Sequence, residues 1–186
     1  IMLDTPGAYA ASDKATRETA FEKACVWMQG AAQLGCYAIR INAPGDGPAE
    51  EQVKRMAESS IRLADYAAKL NLYVLIENHG GLSSDPEWLM GVTKQVGGHP
   101  NFGLLPDFGN FGPETDRYEA VKSFMPHAKA VSAKAGQFDE QGNCLETDYY
   151  KMMDIVKAAG FTGYIGIESW AELQEDEPKA IRLTRD

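Results

Sequence analysis

Leu72-Tyr73-Val74-Leu75-Ile76-Glu77-Asn78-His79-Gly80-Gly81 is the stretch that decides the fold. An unbroken apolar run meets a carboxylate, an amide and an imidazole, and two glycines then break the strand. Without polar alternation, such a run fits a strand covered on both faces, as in a parallel sheet flanked by helices. Polar groups at its carboxyl end then stand where α/β folds gather their chemistry.

Working outward, the same pattern recurs on both sides. Upstream, Ile1-Met2-Leu3-Asp4 reads as the end of a strand. Ser12 or Asp13 then caps a helix to about Leu34 that buries Phe21, Cys25, Met28 and Ala32. Cys36 to Asn42 is a second strand. A longer helix from about Pro48 to Leu70 places Val53, Met56, Ser60, Leu63, Ala64 and Ala67 on one stripe. Downstream, Asp85-Pro86-Glu87 starts a helix that Gly97-Gly98 ends, and Phe102 to Asp107 is a fourth strand. Glu114 to Met125 is helical and Ala128 to Lys134 is a fifth strand. Asp139-Glu140-Gln141-Gly142-Asn143 signals a small hairpin. A helix capped by Thr147 or Asp148 runs to about Ala159, Tyr164 to Glu168 is the sixth strand, and a last helix lies in the acidic tail.

Strands and helices alternating at about 25 to 35 residues mean βαβ units and a parallel sheet. No GxGxxG follows a strand and there is no P-loop lysine, which disfavours nucleotide-binding α/β folds. The expectation is a (β/α)₈ TIM barrel, read as one domain over residues 1–186. Its six strands stand for a barrel without its first two βα units, because a complete barrel takes about 250 residues. Such a chain is expected to oligomerise or to expose an apolar edge.

Composition narrows the function. Net charge is −9, from 27 acidic against 18 basic residues, with no Lys/Arg cluster to form a nucleic-acid groove. No apolar run approaches the ~20 residues that span a bilayer. Cys25, Cys36 and Cys144 are odd in number, far apart and without CxxC, which favours reduced thiols and a cytoplasmic, reducing compartment. The partner expected is a small molecule, with no nucleic acid and no membrane.

Glu77, Asp107 and Glu168 each close an apolar strand, and parallel topology sends strand ends to one face. Crowded carboxylates repel unless protonated or bridged by a cation. Oxygen donors favour Mn²⁺ or Mg²⁺ over Zn²⁺. His79 follows Glu77 by two residues, and so shares its side of an extended chain. It is read either as a contact to a bound small molecule or as a loop histidine satisfied by backbone. Lys134 is in phase with Ser132 and is read as a substrate contact or as a solvent-facing lysine. Arg40 and Asn42 share a phase on the second strand, as substrate contacts or as partners of a neighbouring carboxylate. Trp88 and Trp170 could stack on a bound small molecule, although core packing is the default for both. His99 and His127 lie beside helix ends and read as surface residues.

Ile76-Glu77-Asn78-His79, Pro106-Asp107-Phe108-Gly109-Asn110, Val131-Ser132-Ala133-Lys134 and Ile165-Gly166-Ile167-Glu168 resemble the last four strand motifs of the xylose-isomerase-like TIM barrels. Within these, they are most similar to the sugar phosphate isomerase/epimerase branch, including D-tagatose 3-epimerase-type and hydroxypyruvate isomerase-like enzymes. The resemblance implies a divalent metal held by Glu77, Asp107 and Glu168, with Glu77 and Glu168 also the acid/base pair beside a carbonyl. It implies a carbohydrate substrate and a homo-oligomer, and the residues expected to contact that substrate are His79, Asn110, Lys134, Arg40 and Asn42. Two positions depart from it: Ser132 stands where the family has a metal histidine, and Asn110 replaces a histidine that touches substrate in many relatives. The activity expected is proton transfer through an enediolate, by isomerisation or epimerisation. The alternatives are a keto-sugar lyase or hydratase, and an inactive sugar-binding barrel. An endonuclease IV-type DNA repair enzyme is disfavoured by only three histidines and the negative charge.

Overall fold

A computed structural model of the chain describes residues 1–4, 7–169 and 177–186. Its packing divides at Leu105 into two compact units, each built around its own parallel sheet.

The first unit, Ile1–Leu105, begins with helix α1 (Lys14–Gln33), where Asp13 accepts the Thr16 N–H at 2.7 Å as N-cap. Strand β1 (Ala38–Ile41) leads into α2 (Ala49–Ala68), and β2 (Tyr73–Glu77) into α3 (Pro86–Val96). Strand β3 (Phe102–Leu105) completes the unit. The sheet order is β1-β2-β3, with Ala38 opposite Tyr73 and Glu77 opposite Leu105. In α2 the stripe Met56, Ser60, Leu63, Ala64 and Ala67 is buried as the 3.6-residue spacing requires. Helix α3 is bounded by Asp85, which accepts the Glu87 and Trp88 N–H groups at 2.9 and 3.3 Å. Gly97, at φ 70°, ends it in the left-handed conformation that only glycine adopts without strain.

Two expectations are corrected here. The buried face of α1 is Ala20, Ala24, Met28 and Ala31, about one residue from the expected Phe21, Cys25 and Ala32 stripe. Small residues let that face pack closely, while Phe21 stays at the margin, edge-on to Tyr66 at 6.3 Å. Ile1–Asp4 forms a single parallel bridge, Met2 to Arg40, and not a strand. Its main-chain bonds to β1 are Leu3 N–H donating to Arg40 O at 3.1 Å, Arg40 N–H donating to Ile1 O at 2.9 Å and the Ile1 amino group donating to Ala38 O at 3.0 Å. The described residues therefore hold five strands where six were expected.

The second unit, Pro106–Asp186, contains α4 (Arg117–Phe124), β4 (Val131–Ala135), α5 (Tyr149–Ala158), β5 (Ile165–Ser169) and α6 (Glu177–Arg185). Helix α4 starts later than Glu114 because Asp116 takes the cap, accepting from Tyr118 and Glu119 N–H at 3.0 and 3.2 Å. The core is Phe108, Val121, Met125, Val131, Ala133, Met152 and Val156. Strands β4 and β5 pair in parallel with Ser132 opposite Gly166 and Lys134 opposite Glu168. Unlike β2, β5 is not buried on both faces: Ile165 and Ile167 are 36% and 39% exposed. Its apolar residues reach solvent, as expected of an exposed edge.

The hairpin signal at 139–143 is realised as an antiparallel bridge between Phe138 and Cys144. Asp139 Oδ1 accepts the Gln141 and Asn143 N–H groups at 2.9 and 2.8 Å, and Oδ2 accepts Asn143 Nδ2 at 2.8 Å. These bonds, the Asn143 side chain first, hold the Asp139 carboxyl below its ordinary value of 3.8. A depressed carboxyl stabilises the turn above its unfolded value and loses that contribution as pH falls through the folded one. Amide exchange at Gln141 and Asn143, relative to intrinsic rates, is expected to speed up between about pH 5 and about pH 2. An Asp139→Asn chain should lack that pH dependence; an unchanged profile would exclude the carboxylate as the cause. The three cysteines are free and half-buried, and no helix among the described residues is long and apolar enough to cross a membrane.

Candidate functional site

In the first unit the chemistry gathers on one face of β1 and β2. Arg40 is in register with Leu75, so Glu77 is its diagonal neighbour on the same face, within reach of a long side chain. Arg40 Nε lies 2.8 Å from Glu77 Oε2, with the side chains 4% and 0% exposed. Arg40 Nη1 donates to Leu3 O at 3.0 Å, Asn42 Oδ1 at 2.8 Å and Asp4 Oδ1 at 3.2 Å. The Arg40 guanidinium holds the Asp4 carboxyl below the usual carboxylate range. Arg40 and Asn42 are thus joined around Glu77, in the pair-partner arrangement that the strand phase also allowed.

His79 lies beside that network, near enough to Asp4 for its charge to help lower the Asp4 carboxyl after Arg40. Its ring is exposed and its backbone N–H donates to Ser83 Oγ at 2.9 Å. The chain turns away immediately after it through Gly80 and Gly81, at φ 84° and 55°. Trp88 is core, 5% exposed, with Nε1 donating to Ala49 O at 3.2 Å. Trp170 lies outside the described residues. His99 and His127 are half-buried; His99 Nε2 sits 3.3 Å from Asp65 Oδ1.

In the second unit four side chains converge. Asp107 lies two residues past the end of β3 and bridges in parallel to Ser132 of β4. Its Oδ1 accepts the Gly109 and Asn110 N–H groups at 2.8 and 2.9 Å, which fixes the carboxylate plane. Burial pushes the Asp107 carboxyl above its ordinary value, against the opposing hydrogen bonds from Ser132 and Gly109. Ser132 Oγ donates to Glu168 Oε2 at 3.2 Å, and Lys134 Nζ lies 2.7 Å from Glu168 Oε1. Asn110 is half-buried and takes part through its backbone amide.

The sequence did not disclose that Ser132 links Asp107 to Glu168, nor that Gly109 makes room for the Lys134 stem. A Cβ at Gly109 would come within 3.3 Å of Lys134 Cγ and Cδ. The available signal was the Ser-x-Lys spacing on β4, which puts both side chains on one face but leaves the register with β5 open. Chemically, this cluster offers carboxylate oxygens for a hard cation and a hydroxyl that is a weak ligand.

A profile of the xylose isomerase-like TIM-barrel family matches residues 2–186. The chain belongs to that family. Among solved structures it is similar to a D-tagatose 3-epimerase-like protein, with 18% identity and a TM-score of 0.81, covering 98% of this chain and 73% of that one. It is also similar to the apo form of the 3-keto-D-glucoside 4-epimerase from E. coli, with 13% identity, TM-score 0.76 and coverage of 99% and 76%. A third is a xylose isomerase-like TIM barrel protein from Mycobacterium smegmatis in complex with magnesium, with 16% identity, TM-score 0.69 and coverage of 95% and 70%. At these identities the likeness concerns the fold. No curated protein sequence matches the chain.

Proposed function

We propose that the protein is a divalent-metal-assisted sugar isomerase or epimerase that moves a proton on carbon beside a carbonyl. The observation that carries this reading is the second unit's cluster, in which Ser132 links Asp107 to Glu168 with Lys134 alongside. Family membership supports it, as do two of the similar structures, which are described as epimerase or epimerase-like; a third was solved with magnesium.

The donor chemistry fits a hard cation. Asp107 is a buried carboxylate whose charge is disfavoured by burial, the kind of group that a cation stabilises. Glu77, Asp107 and Glu168 would hold the metal, Mn²⁺ or Mg²⁺ before Zn²⁺. When bound, the metal supplies polarisation of a substrate carbonyl and its neighbouring hydroxyl. One glutamate removes the proton from carbon and the other returns it, to the opposite face or to the adjacent carbon. Arg40 fixes the Glu77 carboxylate and Lys134 that of Glu168, at 2.8 and 2.7 Å. His79, Asn110 and Lys134 would serve the substrate, a small keto-sugar or related polyol, while Arg40 and Asn42 act through Glu77.

Ser132 favours a second reading, a sugar-binding barrel without turnover, because a neutral hydroxyl replaces the family's metal histidine. One measurement separates the two. In D₂O with Mn²⁺ or Mg²⁺, wild-type protein should wash deuterium into the carbon beside the carbonyl of a 2-ketohexose such as D-tagatose, seen as loss of the C–H signal by proton NMR. Binding of ketoses without exchange, across a panel that includes 3-keto-glucosides, would overturn the enzyme reading in favour of the second.

A further inference from the structure

We propose that Lys134 is a resident counter-ion that sets the divalent-cation affinity of Glu168. The inference rests on the metal reading above and concerns residues of the second unit only. Both oxygens of Glu168 are already engaged: Oε1 by the Lys134 ammonium at 2.7 Å and Oε2 by the Ser132 hydroxyl at 3.2 Å. The pair is partly sheltered, with Lys134 16% and Glu168 33% exposed, so water screens it less than an open surface pair.

Lys134 is also seated. It stands opposite Glu168 in the β4–β5 register, which fixes the two Cα positions. Its stem lies over Gly109, where a Cβ would meet Cγ and Cδ at 3.3 Å. The ammonium is therefore delivered to Glu168 by the strand pairing and by a glycine gap beneath its stem. A dication that takes Glu168 as ligand must displace this ammonium from Oε1 or share the oxygen with it, against like-charge repulsion. Ser132 cannot offset that cost, because its hydroxyl is neutral and a poor ligand. The result is a metal that exchanges readily, held more weakly than the carboxylates alone would hold it.

The test is a calorimetric titration of the folded, metal-stripped protein with Mn²⁺, comparing wild type with Lys134→Gln and Lys134→Arg. Lys134→Gln is expected to bind Mn²⁺ at least about tenfold more tightly, since the repelling charge is gone. Lys134→Arg keeps the charge and should bind within about twofold of wild type. If wild type binds Mn²⁺ and Lys134→Gln binds equally or less tightly, the counter-ion role is wrong and the metal reading stands. If no variant binds Mn²⁺, the metal reading falls and the proposal with it. Should circular dichroism show Lys134→Gln to be unfolded, Lys134→Met replaces it: the stem is kept, the charge is gone, and Mn²⁺ should bind more tightly in the same direction. Unchanged affinity in that variant overturns the proposal.

Discussion

Arg40→Met is expected to destabilise the first unit by about 3–5 kcal/mol, the cost of leaving a buried charge without its partner. Glu77 is fully buried, its Oε2 2.8 Å from Arg40 Nε, and Arg40 is 4% exposed. Arg40 Nη1 also bonds Leu3 O, Asn42 and Asp4, so the substitution removes donors from three further acceptors. The double variant Arg40→Met/Glu77→Gln removes both charges and should recover most of the loss, because a buried pair is worth far less than the penalty of breaking it. Urea melts of the two single variants and the double variant complete the cycle. A single-variant cost below about 1 kcal/mol would mean that water or another cation already compensates Glu77. Hydrogen exchange across β1 and β2 should place the effect in this sheet, leaving β4 and β5 as in wild type.

That pair also shows what a sequence reveals and what it withholds. Alternation and apolar periodicity made β2, α2 and α3 legible, because each carries its own signal: an unbroken apolar run, a buried stripe, an Asp cap and a glycine stop. The carboxylates at strand ends were legible for the same reason. Register was not, since a chain read alone does not say which residue of β1 faces which of β2. Arg40 could therefore be named as a substrate contact or as a carboxylate partner, and only the Arg40–Leu75 register brings it to Glu77. Ile1–Asp4 reads as the end of a strand by composition, yet strand length depends on a partner's hydrogen bonds, and here Ala38 and Arg40 supply enough for a single bridge. Exposure of Ile165 and Ile167 on β5 is likewise a tertiary property that composition alone does not carry. Ser132 and Lys134 are the clearest case: the spacing places them on one face, but their joint hold on Glu168 exists only in the β4–β5 register.

Under the proposed mechanism, Glu168→Gln and Glu77→Gln should each lower the interconversion of two epimers by about 10²–10⁴-fold, the usual share of one acid/base group. The informative quantity is the solvent exchange that survives. Two bases working from opposite faces each exchange the proton of one epimer only. Removing Glu168 should then abolish deuterium wash-in to one member of the pair and leave the other exchanging through Glu77. Glu77→Gln should show the reverse pattern. Glutamine keeps an oxygen donor, so Mn²⁺ titrations of both variants report separately on any loss of metal. Loss of both exchanges in one variant and of neither in the other would replace the two-base scheme with a single base that serves both faces. Retention of full interconversion in either variant would remove that glutamate from the proton path. Lys134 bears on the same outcome, since its ammonium lies 2.7 Å from Glu168 Oε1. If Glu168 is a proton carrier, Lys134→Gln should change the exchange rate of its epimer even at saturating Mn²⁺, an effect that a purely structural lysine would not produce.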